Sequence, residues 1–273
     1  MADLLTDSEF EKFRKLIYDE SGITFSDTNR SVLDSRIKER LREEKLNTVE
    51  EYYARILADK EELKLMLDSV TTNLTRFFRN QPHFDALVNY VIPKLLEVKK
   101  NSLDKTIRIW SAGCSTGEEP YTIAMILKDI LPAPYDFSIT ASDISLKSLM
   151  VGRQGFYTAS RIVGIPEKYL DRFFTKSDTG YQVKKELMDK IRFDYHNLRN
   201  DSGSRNLDIV FCRNVLIYFD EPAQLSVINR FWNSMSNKSY LFLHLLLCHL
   251  LQLFYPHRQV YKQRFYYLLY PLN

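Results

Sequence analysis

Up to about Val70 the apolar residues recur at helical spacing. Phe10, Phe13 and Ile17 line one helix, and Leu33, Ile37 and Leu41 line a second. Thr48, with Glu51 three positions on, forms a capping-box pattern that opens a third helix through Tyr52, Tyr53, Ile56 and Leu57. Strand-like alternation is missing from this stretch, and Gly22 is its single glycine. From about Ile107 the texture changes to strand and helix in alternation: IRIW, a helix from Pro120, FSITAS, a helix after Asp143, then LDIVFC from Leu207 to Cys212. This pattern predicts an α/β fold, a doubly wound sheet with helices on both faces, preceded by a small all-α domain.

The expected boundaries are a helical domain over 1–72, a connector over 73–100 and an α/β domain over 101–273. The connector, TTNLTRFFRNQPHF and the amphipathic stretch to Lys100, is too apolar for a disordered linker and is expected to pack on both domains. Between Tyr169 and Asp194, short strand-like runs flank a turn at Ser177 to Gly180, which predicts a small antiparallel β insert. It is either a peptide-docking edge or an ordinary hairpin decorating the sheet.

The segment IRIWSAGCSTGEEPY, Ile107 to Tyr121, carries the most chemistry. An apolar strand runs into a turn loosened by Gly113 and Gly117 and then into a helix with Pro120 in its first turn, the geometry of a nucleotide-cofactor pocket. Glu118 and Glu119 stand at the mouth of that helix, where a pyrophosphate would be repelled, and the GxGxxG pattern is absent. A cofactor bearing a cation or an amine and no phosphate, S-adenosylmethionine, meets this electrostatic demand better than a dinucleotide. First-turn carboxylates also serve simply as helix-dipole partners. Asp143 falls at the carboxyl end of the next strand, where a carboxylate can take both ribose hydroxyls. The alternative is that Asp143, Ser142 or Ser145 only caps the following helix.

Composition narrows the rest. A net charge of +3 over 273 residues is too mild to imply nucleic acid, although it suits an acidic protein partner. Three widely spaced cysteines, Cys114, Cys212 and Cys248, offer no disulfide framework and point to a reducing, cytoplasmic compartment. They and the five histidines lack ligand spacing, so no metal site is expected. The amino terminus lacks the basic and apolar regions of a signal peptide.

NLTRFFR, SAGCSTGEEPY, the strand-end aspartate of ASDIS and FCRNVLIYF occur in an order that resembles the CheR-type chemotaxis receptor protein-glutamate O-methyltransferases. The resemblance covers the chain from the helical module to about Phe242. It implies methyl transfer from S-adenosylmethionine, leaving S-adenosylhomocysteine, to glutamate side chains on the cytoplasmic helices of transmembrane chemoreceptors. By the same resemblance Asn73, Thr75 and Arg79 close over the cofactor, with Arg79 near the transferred methyl. Glu119 holds its amino end, Asp143 the ribose, and Asn197 and Leu198 flank the adenine. Arg213 and Asn214 line the pocket, and Tyr218 faces the reacting centre.

Read without the resemblance, Asn73 and Thr75 are equally helix-end caps, Arg79 a surface ion-pair residue, Asn197 a turn residue and Tyr218 core packing. A glutamate nucleophile, with an ordinary pKa of about 4.3, is already ionised at neutral pH and needs no general base. That agrees with a sequence without a Ser-His-Asp or Cys-His constellation, and the absence of an NPPY-type segment argues against a nucleic-acid substrate. A glutamate-rich receptor helix calls for a basic surface. The second helix supplies Arg36 and Arg40 beside its apolar stripe and Lys38, Arg42 and Lys45 on another face, unless Glu39, Glu43 and Glu44 make this an ordinary solvated surface. The protein is expected to act as a monomer. The alternatives are a non-catalytic module that binds S-adenosylmethionine or a receptor, and a methyltransferase of another protein or a small acid.

After SYLF the resemblance stops. No Asp or Glu follows Glu221, and leucine, tyrosine and histidine crowd the ending. The expectation is a tail from about Leu243 that replaces the family's final segment, as a shifted reading frame would, and leaves a sheet edge open. The apolar run from Tyr240 to Tyr255 is short for a membrane span and contains His244, His249 and Gln252, so no membrane insertion is expected.

Overall fold

A computed structural model describes residues 5–71, 75–243, 258–263 and 266–271, the last two stretches by backbone path alone. Among the described residues the amino-terminal unit has four α-helices where periodicity predicts three: α1 (Asp7–Ser21), α2 (Arg30–Glu44), α3 (Val49–Ala58) and α4 (Lys60–Val70). Thr6 and Glu9 close a capping box on α1, and Thr48 and Glu51 close the expected one on α3. Asp59 ends α3 and caps α4, accepting from the Glu61 amide, which leaves no loop between them to signal the break. Phe10, Phe13, Ile17, Leu33, Ile37, Leu41, Tyr52 and Ile56 form the core of this unit as their spacing requires. Leu57 lies off the stripe and is exposed.

The chain continues through α5 (Gln81–Ala86), a π-helical turn at Leu87–Val91 and α6 (Ile92–Lys99). Then come β1 (Thr106–Ala112), α7 (Glu118–Ile130), β2 (Asp136–Asp143), α8 (Leu146–Gln154), β3 (Phe156–Tyr157), α9 (Glu167–Phe173), β4 (Phe174–Lys176), β5 (Tyr181–Val183), α10 (Lys185–Met188), β6 (Ile191–Tyr195) and β7 (Leu207–Cys212). The last elements are α11 (Glu221–Ser234), β8 (Met235–Leu243), β9 (Arg258–Gln263) and β10 (Tyr266–Pro271). Among the described residues seven strands form one sheet in the order β6-β2-β1-β7-β8-β10-β9, parallel from β6 to β8.

Strand periodicity sorts the two cores. Ile107, Ile109, Ile209, Phe211, Tyr240 and Phe242 point to one face, where they meet α7 and connector residues Phe77, Phe84, Leu87 and Leu95. Trp110, Ala112, Val210, Cys212, Leu241 and Leu243 point to the other, against Val227, Ile228 and Phe231 of α11. The connector therefore supplies one layer of the α/β core. Phe78 and Asn80 hold left-handed φ values of 53° and 63° to make that entry.

The insert is a three-stranded sheet, β3-β5-β4, with Ser177 to Gly180 turning between β4 and β5. Its third strand comes from Phe156–Tyr157, too short to register as a periodic run, and β6, within the range expected for the insert, is the outer strand of the main sheet. The open edge expected beside β8 is filled. The β10 backbone pairs antiparallel with Leu241 to Leu243, and β9 pairs with β10.

Candidate cofactor and active site

The order of strands reverses beside β1, with β2 on one side and β7 on the other, so the loops at the carboxyl ends of these strands diverge and leave a crevice. A cavity of about 360 Å³ occupies it, within the range of small-molecule sites. Its floor is the loop after β1. Gly113 has φ 81°, and a Cβ there would stand 2.3 Å from the Val215 side chain, so only glycine allows the turn. The amides of Gly113 and Cys114 both donate to the Ser142 carbonyl, at 2.8 and 2.9 Å, fixing this loop to the end of β2.

The two glutamates at the start of α7 part company. Glu119 faces the cavity, accepting from Ser111 Oγ at 2.7 Å and from Arg213 Nε at 2.7 Å. Arg213 is buried and also donates through Nη1 to the Arg79 carbonyl at 2.8 Å, with His83 Nδ1 at 3.1 Å. Glu118 is not at the mouth as expected. It is fully buried and points behind the loop, where Thr116 Oγ1 and Arg161 Nη2 donate to it at 2.7 and 2.6 Å. Burial pushes its carboxyl up despite those donors. The acidic mouth read from sequence is thus a single carboxylate, itself paired with a guanidinium.

Asp143 ends β2 and lines the cavity. Its Oδ2 accepts from the Ser115 amide at 2.7 Å and its Oδ1 from the Ser145 amide at 2.9 Å. Burial raises its pKa against the effect of both amides. Capping of α8 falls to Ser145, whose hydroxyl accepts from the Ser148 amide, so that alternative is separated from Asp143. Leu198 is buried in the wall beyond β6. Asn197 also lines the cavity, but its amide is engaged elsewhere: Nδ2 donates to the Glu20 carbonyl and Oδ1 accepts from the Arg199 amide at 3.0 Å.

The remaining wall comes from Thr75, Arg79, Asn214 and Tyr218. Burial, then the nearby Arg213 guanidinium, lower the Arg79 pKa. Asn214 takes φ 59°, the turn that carries the chain from the end of β7 around the cavity. Ile217 and Tyr218 are 38 % and 37 % exposed and mark the mouth. Asn73 lies outside the described residues. Ile23, Thr24 and Phe25 of the helical unit complete the enclosure, a contribution that no motif in the first seventy residues announces.

The comparisons with known proteins agree with this arrangement. Two family models match, "CheR methyltransferase, all-alpha domain" over residues 8–71 and "CheR methyltransferase, SAM binding domain" over residues 73–244. The chain belongs to the CheR methyltransferase family. It is similar to a chemotaxis protein methyltransferase of Borreliella burgdorferi, 37% identical over 248 residues that span 87% of each chain. It is also similar to chemotaxis protein methyltransferase 2 of Vibrio cholerae, 33% identical over 88% of this chain and 85% of the relative. The Escherichia coli chemotaxis protein methyltransferase is 34% identical over 83% of this chain and 79% of its own length. The match of the cofactor-binding model ends at residue 244, where the motifs also stop.

A CheR methyltransferase takes S-adenosylmethionine, and the cavity fits that group. Its volume suits a small molecule, its carboxylates face inward from the start of α7 and the end of β2, and the turn at Gly113 lets Val215 close against the loop that floors it. When bound, the cofactor supplies a methyl group on a sulfonium, an electrophile with no need of a metal. Among the described residues no helix is long and apolar enough to cross a membrane.

The proposed docking cations are not equivalent in this CheR chain. Arg40 is 7 % exposed and faces inward, donating from Nε to Glu62 Oε1 at 2.9 Å, with Tyr52 Oη on the same carboxylate oxygen at 2.8 Å. It corrects the sequence reading: a position beside the apolar stripe became a buried ion pair of the helical core, beyond the reach of a partner. Lys38 and Arg42 are exposed, and Arg36 is half-exposed beside Glu39 at 3.3 Å.

Proposed function

We propose that this protein esterifies glutamate side chains on the cytoplasmic helices of transmembrane chemoreceptors, using S-adenosylmethionine and releasing S-adenosylhomocysteine. The observation that carries the reading is the wall itself: two carboxylates, Glu119 and Asp143, and two guanidiniums, Arg79 and Arg213, surround one cavity, and Tyr218 stands half-open at its mouth. Glu119 suits the amino group of the cofactor and Asp143 its ribose hydroxyls. Leu198 offers an apolar face to the adenine, and Arg213 and Asn214 hold the far wall. Thr75 and Arg79 close the connector side.

An incoming glutamate is an anion, and Arg79 is the cation positioned to receive it. Tyr218 supplies a hydroxyl at the mouth to orient the carboxylate. No proton leaves the nucleophile, so the residues need only align two reactants and exclude water. The helix α2 begins at the cavity, where Val32 lines it, and Arg36 follows one turn along the same face. Arg36 extends this face from the mouth, and Lys38 and Arg42, on another face of α2, add basic charge for an acidic receptor helix. The reaction is placed in the cytoplasm, where those helices lie.

Incubation with methyl-labelled cofactor and receptor-enriched membranes tests the proposal. Label should enter the receptor band and leave as methanol in mild alkali. Alkali-stable label points to N-methylation and overturns the glutamate assignment.

A further inference from the structure

The carboxyl end of α1 lies against the loop after β6 in a contact that the reaction does not itself require. Arg199 Nη1 donates to the carbonyls of Tyr18 and Asp19, the latter at 2.9 Å, and Asn197 Nδ2 donates to that of Glu20. These are carbonyls of a last helical turn, where that of Tyr18 also accepts from the Gly22 cap amide at 2.8 Å, and they carry the negative end of the helix dipole, so a guanidinium is suited to them by both hydrogen bonding and charge. The Arg199 guanidinium also lies 5.4 Å from the centre of the Tyr18 ring, and Tyr18 Oη donates to Asp220 Oδ2 at 2.8 Å. Gly22, the lone glycine of the helical unit, ends α1 with φ 79°. A Cβ there would meet the Phe219 ring at 2.8 Å and Arg199 Cδ at 3.3 Å.

Beyond Gly22 the chain turns directly into the cavity wall. Ile23 bridges Phe219, and the amide and hydroxyl of Thr24 both donate to the Tyr218 carbonyl, at 2.9 and 3.0 Å. One contact therefore joins three things: the end of α1, the loop bearing Asn197 and Leu198, and the backbone of Tyr218.

We infer that Arg199 is a positioning residue for the cofactor, clasping the carboxyl end of α1 so that residues 21–25 close the cavity against the loop at 196–198 and fix the backbone of Tyr218. Asn197 shares this work through its side chain, with its amide spent on α1 and not on a ligand edge. The inference rests on the S-adenosylmethionine reading of the cavity. Closure by the clasp and cofactor binding then favour one another, since only the closed arrangement offers both walls.

Calorimetric titration with S-adenosylhomocysteine, alongside steady-state kinetics, tests it on the full chain. The wild type must bind; failure there removes the cofactor reading and not the clasp. Arg199→Ala should raise the dissociation constant and the KM for S-adenosylmethionine about tenfold, with kcat at saturation changed less than twofold. Arg199→Lys, which keeps the charge but not the fork, should recover part of the affinity. Tyr18→Phe removes only the Asp220 bond and should weaken binding two- to fivefold, which provides a reading if Arg199→Ala does not fold. Unchanged affinity in every folded variant, or a fall in kcat at constant KM, overturns the inference.

Discussion

Substitution of Asp143 separates a structural load from a binding one. The carboxylate satisfies two backbone amides, Ser115 at 2.7 Å and Ser145 at 2.9 Å, while facing the cavity. Asp143→Ala strands both donors. At about 1–3 kcal/mol for each buried unsatisfied group the cost is about 2–6 kcal/mol, a large share of the roughly 5–15 kcal/mol that holds a domain together. Asp143→Asn keeps one acceptor and turns an NH₂ toward the other amide, so about 1–3 kcal/mol is expected. Two ribose hydroxyls donating to a carboxylate contribute about 1.5–3 kcal/mol each. Losing both, as in the Ala variant, weakens binding by about 10² to 10⁴, and losing one, as in the Asn variant, by about 10 to 10². Denaturant unfolding reads the first quantity and calorimetry with S-adenosylhomocysteine reads the second. Ligand at about 100 times the wild-type Kd should stabilise the wild type by about 2.7 kcal/mol and the Asn variant by about 1.4 kcal/mol or less. A folded Asn variant with unchanged affinity refutes the ribose role.

Arg79→Ala and Tyr218→Phe should each lower turnover at least tenfold while the unfolding midpoint barely moves, since neither belongs to the buried apolar cores; unchanged rates in both remove them from the reacting centre. Glu118, raised by burial, contributes stability that is complete below the ordinary carboxylate range and is lost as pH rises through its higher folded value. Glu118→Gln cannot ionise, so the variant should gain on the wild type in urea midpoint between pH 4 and 7; a constant gap contradicts the assigned burial effect. Charge reversal at Lys38 and Arg42 should slow receptor methylation and flatten its dependence on salt. If rates of the wild type do not respond to salt, docking is not electrostatic.

Local rules left strong marks on this sequence. The capping box at Thr48, the apolar strands β1 and β7, and the glycine turn at Gly113 depend on neighbours a few residues apart, so they are legible in the order of residues alone. What escaped depends on packing between distant segments. Arg40 looks like a rim cation until Glu62 and Tyr52, 22 and 12 positions away, are seen to enclose it. Glu118 and Glu119 are adjacent in sequence, yet helical geometry aims successive side chains about 100° apart, so one reaches the cavity and the other the Arg161 side chain behind it.

The same distinction governs the site as a whole. Its floor is built from the ends of consecutive strands and carries recognisable motifs, because each motif must turn the backbone in a set way within a few residues. Its lid is the run from Ser21 to Phe25, which contributes mainly backbone donors and close approach, and many sequences satisfy those demands. Only Gly22 is constrained there, by a left-handed φ and by Phe219 overhead. A single glycine in an otherwise glycine-free helical unit was therefore the one trace of the lid in the sequence, and its meaning depended on Arg199, 177 positions later. Catalytic side chains are chosen by chemistry and leave a residue signature. The contacts that hold two domains around them are chosen by shape, and in this chain they fall largely on main-chain carbonyls, which every residue possesses.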